Sequence, residues 1–238
     1  MSFLNSLRSP APPWRVEVKW FLCLGVGAFG LLTGAAVSAV ARIVFSPSDV
    51  ALGACVHIAA LVAALIGLWC LPPRGALADK LGSGKIGFAD VKSAFAGLGA
   101  IYLFEIVTLP AWGWLLRRLG IDYQEKQSLL ELCAAADWRF FIWLLVLVGV
   151  LIPIGEELFF RRLLFGVLRP LGVVSALILT SMIFGALHGF LYGFPVLAVF
   201  GAILQWLYLR TGNLATNILA HSIFNLVSLC AAFFLNGE

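Results

Sequence analysis

Seven stretches of almost unbroken apolar residues run along this chain, and the charged residues fall mainly between them. They cover approximately Trp20 to Ala41, Ala51 to Leu71, Ala94 to Leu116, Trp138 to Phe160, Leu171 to His188, Pro195 to Leu209 and Leu214 to Leu235. Most approach the roughly 20 helical residues needed to cross about 30 Å of hydrocarbon. A membrane barrel would instead show segments of about ten residues with alternating polarity, and these runs do not alternate. The expected fold is therefore all-α, a polytopic transmembrane helical bundle of about seven to eight helices. The eighth would arise if the short fifth run or the Gly-containing sixth is broken.

Composition agrees. The chain is 62% hydrophobic and 12% charged, against about a quarter charged in ordinary soluble domains. A multi-pass integral membrane protein is expected, with membrane lipids as its surroundings. The first run is preceded by Lys19 and ends in Ala39-Val40-Ala41, which has the form of a signal-peptide cleavage site. Its apolar core is longer than the usual 7–15 residues, roughly, so an uncleaved anchor is the better reading. With the amino terminus in the cytoplasm, eleven of the 16 Lys and Arg lie inside and five outside (Arg42, Arg117, Arg118, Lys126 and Arg139). That asymmetry selects a cytoplasmic amino terminus, in what is expected to be a bacterial inner or cell membrane. The net charge of +4 is thus a topology signal. No basic stripe interleaved with aromatics exists, so no nucleic-acid partner is expected.

Between the runs, residues 72–87 form a Gly- and Pro-rich loop, and 120–137 a polar segment whose part from Tyr123 to Ala136 is amphipathic enough to lie on the membrane surface. The five cysteines have no metal-ligand spacing and read as packing residues. No repeat or soluble second domain is visible. Residues 1–137 carry no catalytic signature, 138–238 carry all of them, and the two form one integrated membrane domain in this reading.

Several chemistries are excluded directly. The three histidines, His57, His188 and His221, offer no pair at the spacing of a zincin helix. Gly82-Ser83-Gly84-Lys85 lacks both the earlier glycine and the following Ser or Thr of a phosphate loop. No aspartate falls within an expected span, and no serine lies in a Gly-x-Ser-Gly setting.

Glutamate, histidine and asparagine remain. Glu156 and Glu157 are adjacent, so on a helix they point about 100° apart and cannot share a role. Glu157 and Arg161 are four residues apart on one face and can pair, leaving Glu156 to act as a base. His188 ends the fifth run with Phe184 one turn earlier; His221 and Asn225 lie one turn apart in the last. Taken singly, these have plain structural readings: a helix-capping ion pair at the lipid headgroups, an interfacial histidine, an interhelical hydrogen bond. Three separate runs bearing costly polar groups of complementary chemistry argue instead for one polar site. Glu105, at bilayer depth in the third run, belongs to no motif and is either a cavity residue or a hydrogen-bonded core carboxyl.

Glu-Glu-x-x-x-Arg, Phe-x-x-x-His and His-x-x-x-Asn, in this order on successive apolar runs, resemble the CPBP family of intramembrane endopeptidases. That family includes type II CAAX prenyl proteases and bacteriocin-processing and self-immunity proteins, and the resemblance covers roughly residues 138–235. It implies a membrane-embedded peptide hydrolase in which Glu156 activates water with help from His188, while His221 and Asn225 hold the scissile carbonyl and its oxyanion. Glu157 and Arg161 are then supporting residues, Phe184 walls the site, and the substrate is a membrane-associated protein or peptide that is lipidated or carries a sorting signal. No cofactor is expected. Zn²⁺ held by His188, His221 and Glu156 is the alternative, made less attractive because one carboxylate would have to serve as both ligand and base. A catalytically silent scaffold or immunity protein, or a small proton-coupled transporter, is the competing function; the transporter should show inverted repeats, which are not visible.

Depth poses a difficulty. With the spans as bounded above, Glu156 lies toward the cytoplasm and His188 toward the opposite face. A shared site therefore requires the fourth helix to continue past Arg161, or the fifth to bend.

Overall fold

The computed structural model describes residues 86–235, and all their regular structure is helical. The spans expected at 20–41 and 51–71, nearly all of the 72–87 loop, Cys23, Cys55, Cys70 and His57 lie outside the described residues. Six helical stretches follow in order: α1 (Phe88–Arg118), α2 (Ser128–Ala134), α3 (Trp138–Leu171), α4 (Val173–Leu187), α5 (Phe194–Thr211) and α6 (Leu214–Leu235). Among them α1, α3, α5 and α6 are long and apolar enough to cross a membrane. Large apolar side chains such as Leu103, Ile106, Val107, Ile142 and Val150 remain exposed along them, as lipid-facing surfaces require. The protein is an integral membrane protein of helical construction.

The expected boundaries hold for α5 and α6 to within two residues, whereas α1 starts six residues earlier, at Phe88 rather than Ala94, and ends two later, at Arg118. The fourth span does not stop at Phe160: α3 runs for 34 residues, about 51 Å at the helical rise. Glu156 is consequently near its middle rather than at its end. The fifth span, α4, has 15 residues and a length of about 22 Å, too short to carry its terminal histidine across roughly 30 Å of hydrocarbon. The expected surface helix over 123–136 shrinks to the seven residues of α2.

Two compact units divide the described helices. In the first are α1, the linker through Gln127, α4, α5 and the start of α6 to His221; in the second are α2, α3 to Val167 and α6 from Ser222. In the first unit the helices approach through glycines. A Cβ on Gly185 of α4 would come within 3.0 Å of the Ala198 nitrogen and 3.1 Å of the Phe194 oxygen on α5, and one on Gly201 within 3.2 Å of the Ser181 Cα. One on Gly97 of α1 would meet Ile203 at 3.0 Å. Small residues at such crossings let backbones pack without a side-chain layer, the usual device where lipid offers no hydrophobic drive between helices.

The second unit is organised around Cys133, Phe141, Leu144, Leu147, Val148, Leu229 and Ala232, all buried. Asp137 caps α3, its carboxylate accepting the Phe140 N–H at 2.8 Å. Phe141 stacks on Phe233 with ring centroids 3.9 Å apart, and the Cys133 thiol donates to the Leu229 carbonyl. Cys133 is thus a packing residue, as the spacing of the cysteines suggests.

Candidate active site

The local form of α3 departs from a plain α-helix where the carboxylates lie. Glu156 and Glu157 end a six-residue α-helical stretch, Ile152–Glu157, bounded by π-helical turns at Leu147–Leu151 and Leu158–Leu164. The Ile152 N–H donates to the Leu147 carbonyl and the Phe165 N–H to the Phe160 carbonyl, each five residues back. Such wider turns recur at functional sites because they re-aim side chains without breaking a helix. Arg161 and Glu157 form a bidentate pair, Nε to Oε2 at 2.8 Å and Nη2 to Oε1 at 3.3 Å. Both side chains are fully buried. Glu156, next in the chain, is half-buried. The two carboxylates are therefore in different surroundings, one sealed against a guanidinium and the other reachable. Asn225, on α6 in this same unit, donates from Nδ2 to the Val148 carbonyl at 2.9 Å.

In the first unit both described histidines meet Phe184. The ring centroids of Phe184 and His188 are 4.8 Å apart, those of Phe184 and His221 5.8 Å, and Phe200 lies edge-on to His221 at 5.3 Å. His221 is 2% exposed and Phe184 fully buried. His188 caps α4, whose helix ends there because Gly189 takes a φ of 60°, a left-handed conformation that glycine adopts at little cost. Its Nδ1 lies 2.7 Å from the Phe184 carbonyl. A carbonyl only accepts, so Nδ1 carries the hydrogen of this contact. One turn before His221, fully buried Asn217 donates from Nδ2 to the Leu204 carbonyl of α5 at 2.6 Å. Phe200 and Asn217 have no signal in the sequence beyond a polar or aromatic residue in a span. Their connection to His221 appears only once α5 and α6 are packed.

The linker after α1 borders the turn that follows His188. Tyr123 stacks on Tyr192 at 5.1 Å, Arg117 donates to the Tyr123 hydroxyl, and the Trp112 indole N–H donates to the Leu191 carbonyl at 3.0 Å. Burial, followed by Glu125, Tyr123 and Glu105, raises the Tyr192 phenol above its ordinary pKa, with Arg117 opposing. Glu105 is half-buried at the middle of α1 and in the electrostatic reach of Tyr102 and Tyr192. Among the described residues no group of three or more His, Cys, Asp or Glu is gathered in a way that could hold a metal ion.

Residues 138–227 match a family model described as type II CAAX prenyl endopeptidase Rce1-like. This region is similar to that family. Glu156, Glu157, Arg161, Phe184, His188, His221 and Asn225 all fall inside the matched region of the CAAX-endopeptidase type; Glu105 does not. Two curated bacterial proteins are similar. The "UPF0177 protein YxdF" of Lactococcus lactis subsp. lactis (strain IL1403) is 30% identical over 81 residues, 34% of this chain and 45% of that protein. The "Putative membrane peptidase YdiL" of Bacillus subtilis (strain 168) is 28% identical over 109 residues, 45% of this chain and 42% of that protein. The chain spans less than half the length of either relative. No solved structure matches.

Proposed function

We propose that this chain is an intramembrane endopeptidase that hydrolyses a peptide bond near the membrane in a lipidated or signal-bearing protein or peptide. The observation that carries the reading is the family match, because it spans all three polar motifs at once. Hydrolysis needs an acceptor for the proton of the attacking water, a donor for the leaving amine and donors aimed at the tetrahedral oxygen. Glu156 takes the first role; Glu157 is committed to Arg161, which leaves Glu156 as the reachable member of the pair. His188, its Nδ1 engaged with the Phe184 carbonyl, assists in proton transfer. His221 and Asn225 hold the carbonyl and its developing charge. Water attacks the carbonyl carbon as its proton passes to Glu156, and that proton then reaches the nitrogen as the C–N bond breaks.

No step in this scheme needs a metal, and the carboxylate-dependent route is the one we propose. The substrate class follows the family description: a prenylated carboxyl terminus is the first to test, in a bacterial cell membrane with the amino terminus of the enzyme in the cytoplasm. The deciding experiment compares the protein with Glu156→Gln on a quenched-fluorescent peptide bearing a farnesylated cysteine three residues from its carboxyl terminus, beside an unprenylated twin and a leader-type peptide. The amide is nearly isosteric but accepts no proton, so turnover should fall by orders of magnitude at unchanged membrane level. Full cleavage by a well-expressed Glu156→Gln protein would falsify the mechanism.

A further inference from the structure

Asn225 owes its hydrogen bond to a proline on another helix. Where α3 widens at Leu147–Leu151, the Ile152 N–H is given to the Leu147 carbonyl. In the α register that N–H would have served Val148. In the π register the donor for Val148 would be residue 153, and Pro153 has no N–H to give. The buried Val148 carbonyl is therefore left without a backbone donor by either register, and the Asn225 Nδ2 reaches it at 2.9 Å. The next residue along eases the approach: a Cβ on Gly149 would come within 2.4 Å of Leu226 Cδ2, so with a side chain there Leu226 would have to shift. Because the partner is a carbonyl, the side-chain atom facing it is the nitrogen, which fixes which way the amide is turned.

An amide nitrogen carries two hydrogens. One goes to Val148, and the planar group then holds the second in a fixed direction. We propose that Pro153 is a positioning residue: by leaving the Val148 carbonyl unserved, it orients the Asn225 amide so that its other N–H serves the substrate carbonyl. This rests on the reading of Asn225 as an oxyanion donor, and it adds the reason that the side chain is held for that task. Preorganised donors matter because a misplacement of about 1 Å can cost on the order of a hundredfold in rate.

Pro153→Ala supplies the missing N–H, which competes for the Val148 carbonyl and releases Asn225. On the farnesylated peptide, kcat should fall about tenfold to a hundredfold with KM within about twofold, since the lost interaction acts in the transition state. In an Asn225→Ala background, or in Asn225→Asp should that protein fold better, the same change should alter kcat by less than about twofold, because there is no amide left to misplace. A second readout needs no substrate. The chain has five asparagines, so selective labelling resolves their side-chain amides by NMR; the Asn225 signal, assigned by its loss in Asn225→Ala, should shift in Pro153→Ala. Equal fold-losses from Pro153→Ala in both backgrounds, or an unshifted Asn225 amide in folded protein, would overturn the inference. A protein that cleaves no peptide at all would sink the proposed function, and with it the catalytic part of this inference, while the amide signal still decides whether Pro153 orients Asn225.

Discussion

Removing Arg161 should be the most damaging single change in the second unit, and removing Glu157 with it should largely undo the damage. Both side chains are fully buried and joined by two hydrogen bonds, the shorter at 2.8 Å. Arg161→Met leaves a carboxylate sealed away from water with its counter-ion gone. Breaking a buried pair from one side costs about 3–5 kcal/mol, whereas replacing both members by apolar residues of similar volume is often neutral or stabilising. At about 1.4 kcal/mol per factor of ten, the single change should shift the folding equilibrium by two to three orders of magnitude or more. Glu157→Leu takes the carboxylate from beside the buried guanidinium and should cost a similar amount. The double variant should stand within about 1–2 kcal/mol of the original, giving a coupling energy of about 3 kcal/mol or more. Arg161 also lies over the Phe160 ring at 5.8 Å, but that contact is lost in both arms of the cycle and cancels. Arg161→Lys keeps the charge without the fork and should fall between. Reversible unfolding in mixed micelles, followed by circular dichroism and by steric trapping, measures all four proteins. A coupling energy below about 1 kcal/mol, the level of an exposed surface pair, would refute the claim that this pair is what fixes Glu157 and leaves Glu156 for chemistry.

Other consequences are more local. Activity should survive dialysis against a strong chelator, and purified protein should carry no stoichiometric zinc; one zinc per chain with chelator-sensitive, zinc-restored activity would replace the carboxylate mechanism by a metal-assisted one. Gly185→Ala should destabilise by about 1–3 kcal/mol, because the new methyl group meets backbone atoms of α5 that cannot swing aside. Gly149→Ala should be milder, since what it meets is the Leu226 side chain; thermal stability in detergent ranks the two, and the reverse order would refute the argument. Asn217→Leu should lose about 1 kcal/mol through the missing bond to the Leu204 carbonyl, and wild-type stability in the same thermal assay would show that bond to be idle.

The helical architecture was legible because it rests on one strong signal, apolar runs of crossing length. The boundary of the fourth span failed because a polar residue there imitates an ending. Arg161 and Arg162 look like the headgroup end of a span that closes at Phe160. The helix in fact continues to Leu171, because the charge of Arg161 is neutralised inside the protein by Glu157 and never has to reach water. An i, i+4 Glu and Arg can be read from spacing, but whether they sit at a surface or in a core depends on packing that spacing does not encode. The same holds for α2: the amphipathic pattern extends over 14 residues from Tyr123 to Ala136, yet the first part is spent on the Tyr123–Tyr192 stack and only the seven residues around Cys133 coil into a helix.

The candidate residues were legible for a different reason. Ionisable and amide side chains are expensive in hydrocarbon, so each one stands out and asks for an explanation. What cannot stand out is a residue whose contribution is to lack something. Pro153 contributes a missing N–H, Gly149 a missing Cβ, and neither absence has a visible consequence until the register of α3 and the approach of α6 are known. In the sequence Pro153 is only a proline in a span, a residue that neighbouring helices routinely tolerate there. In the fold it decides which carbonyl is left unserved, and Asn225 is the side chain that answers it. The chemically conspicuous residue is thereby held by an inconspicuous one. A search for candidate residues by polarity alone finds the donor, but it passes over the proline that holds that donor in place.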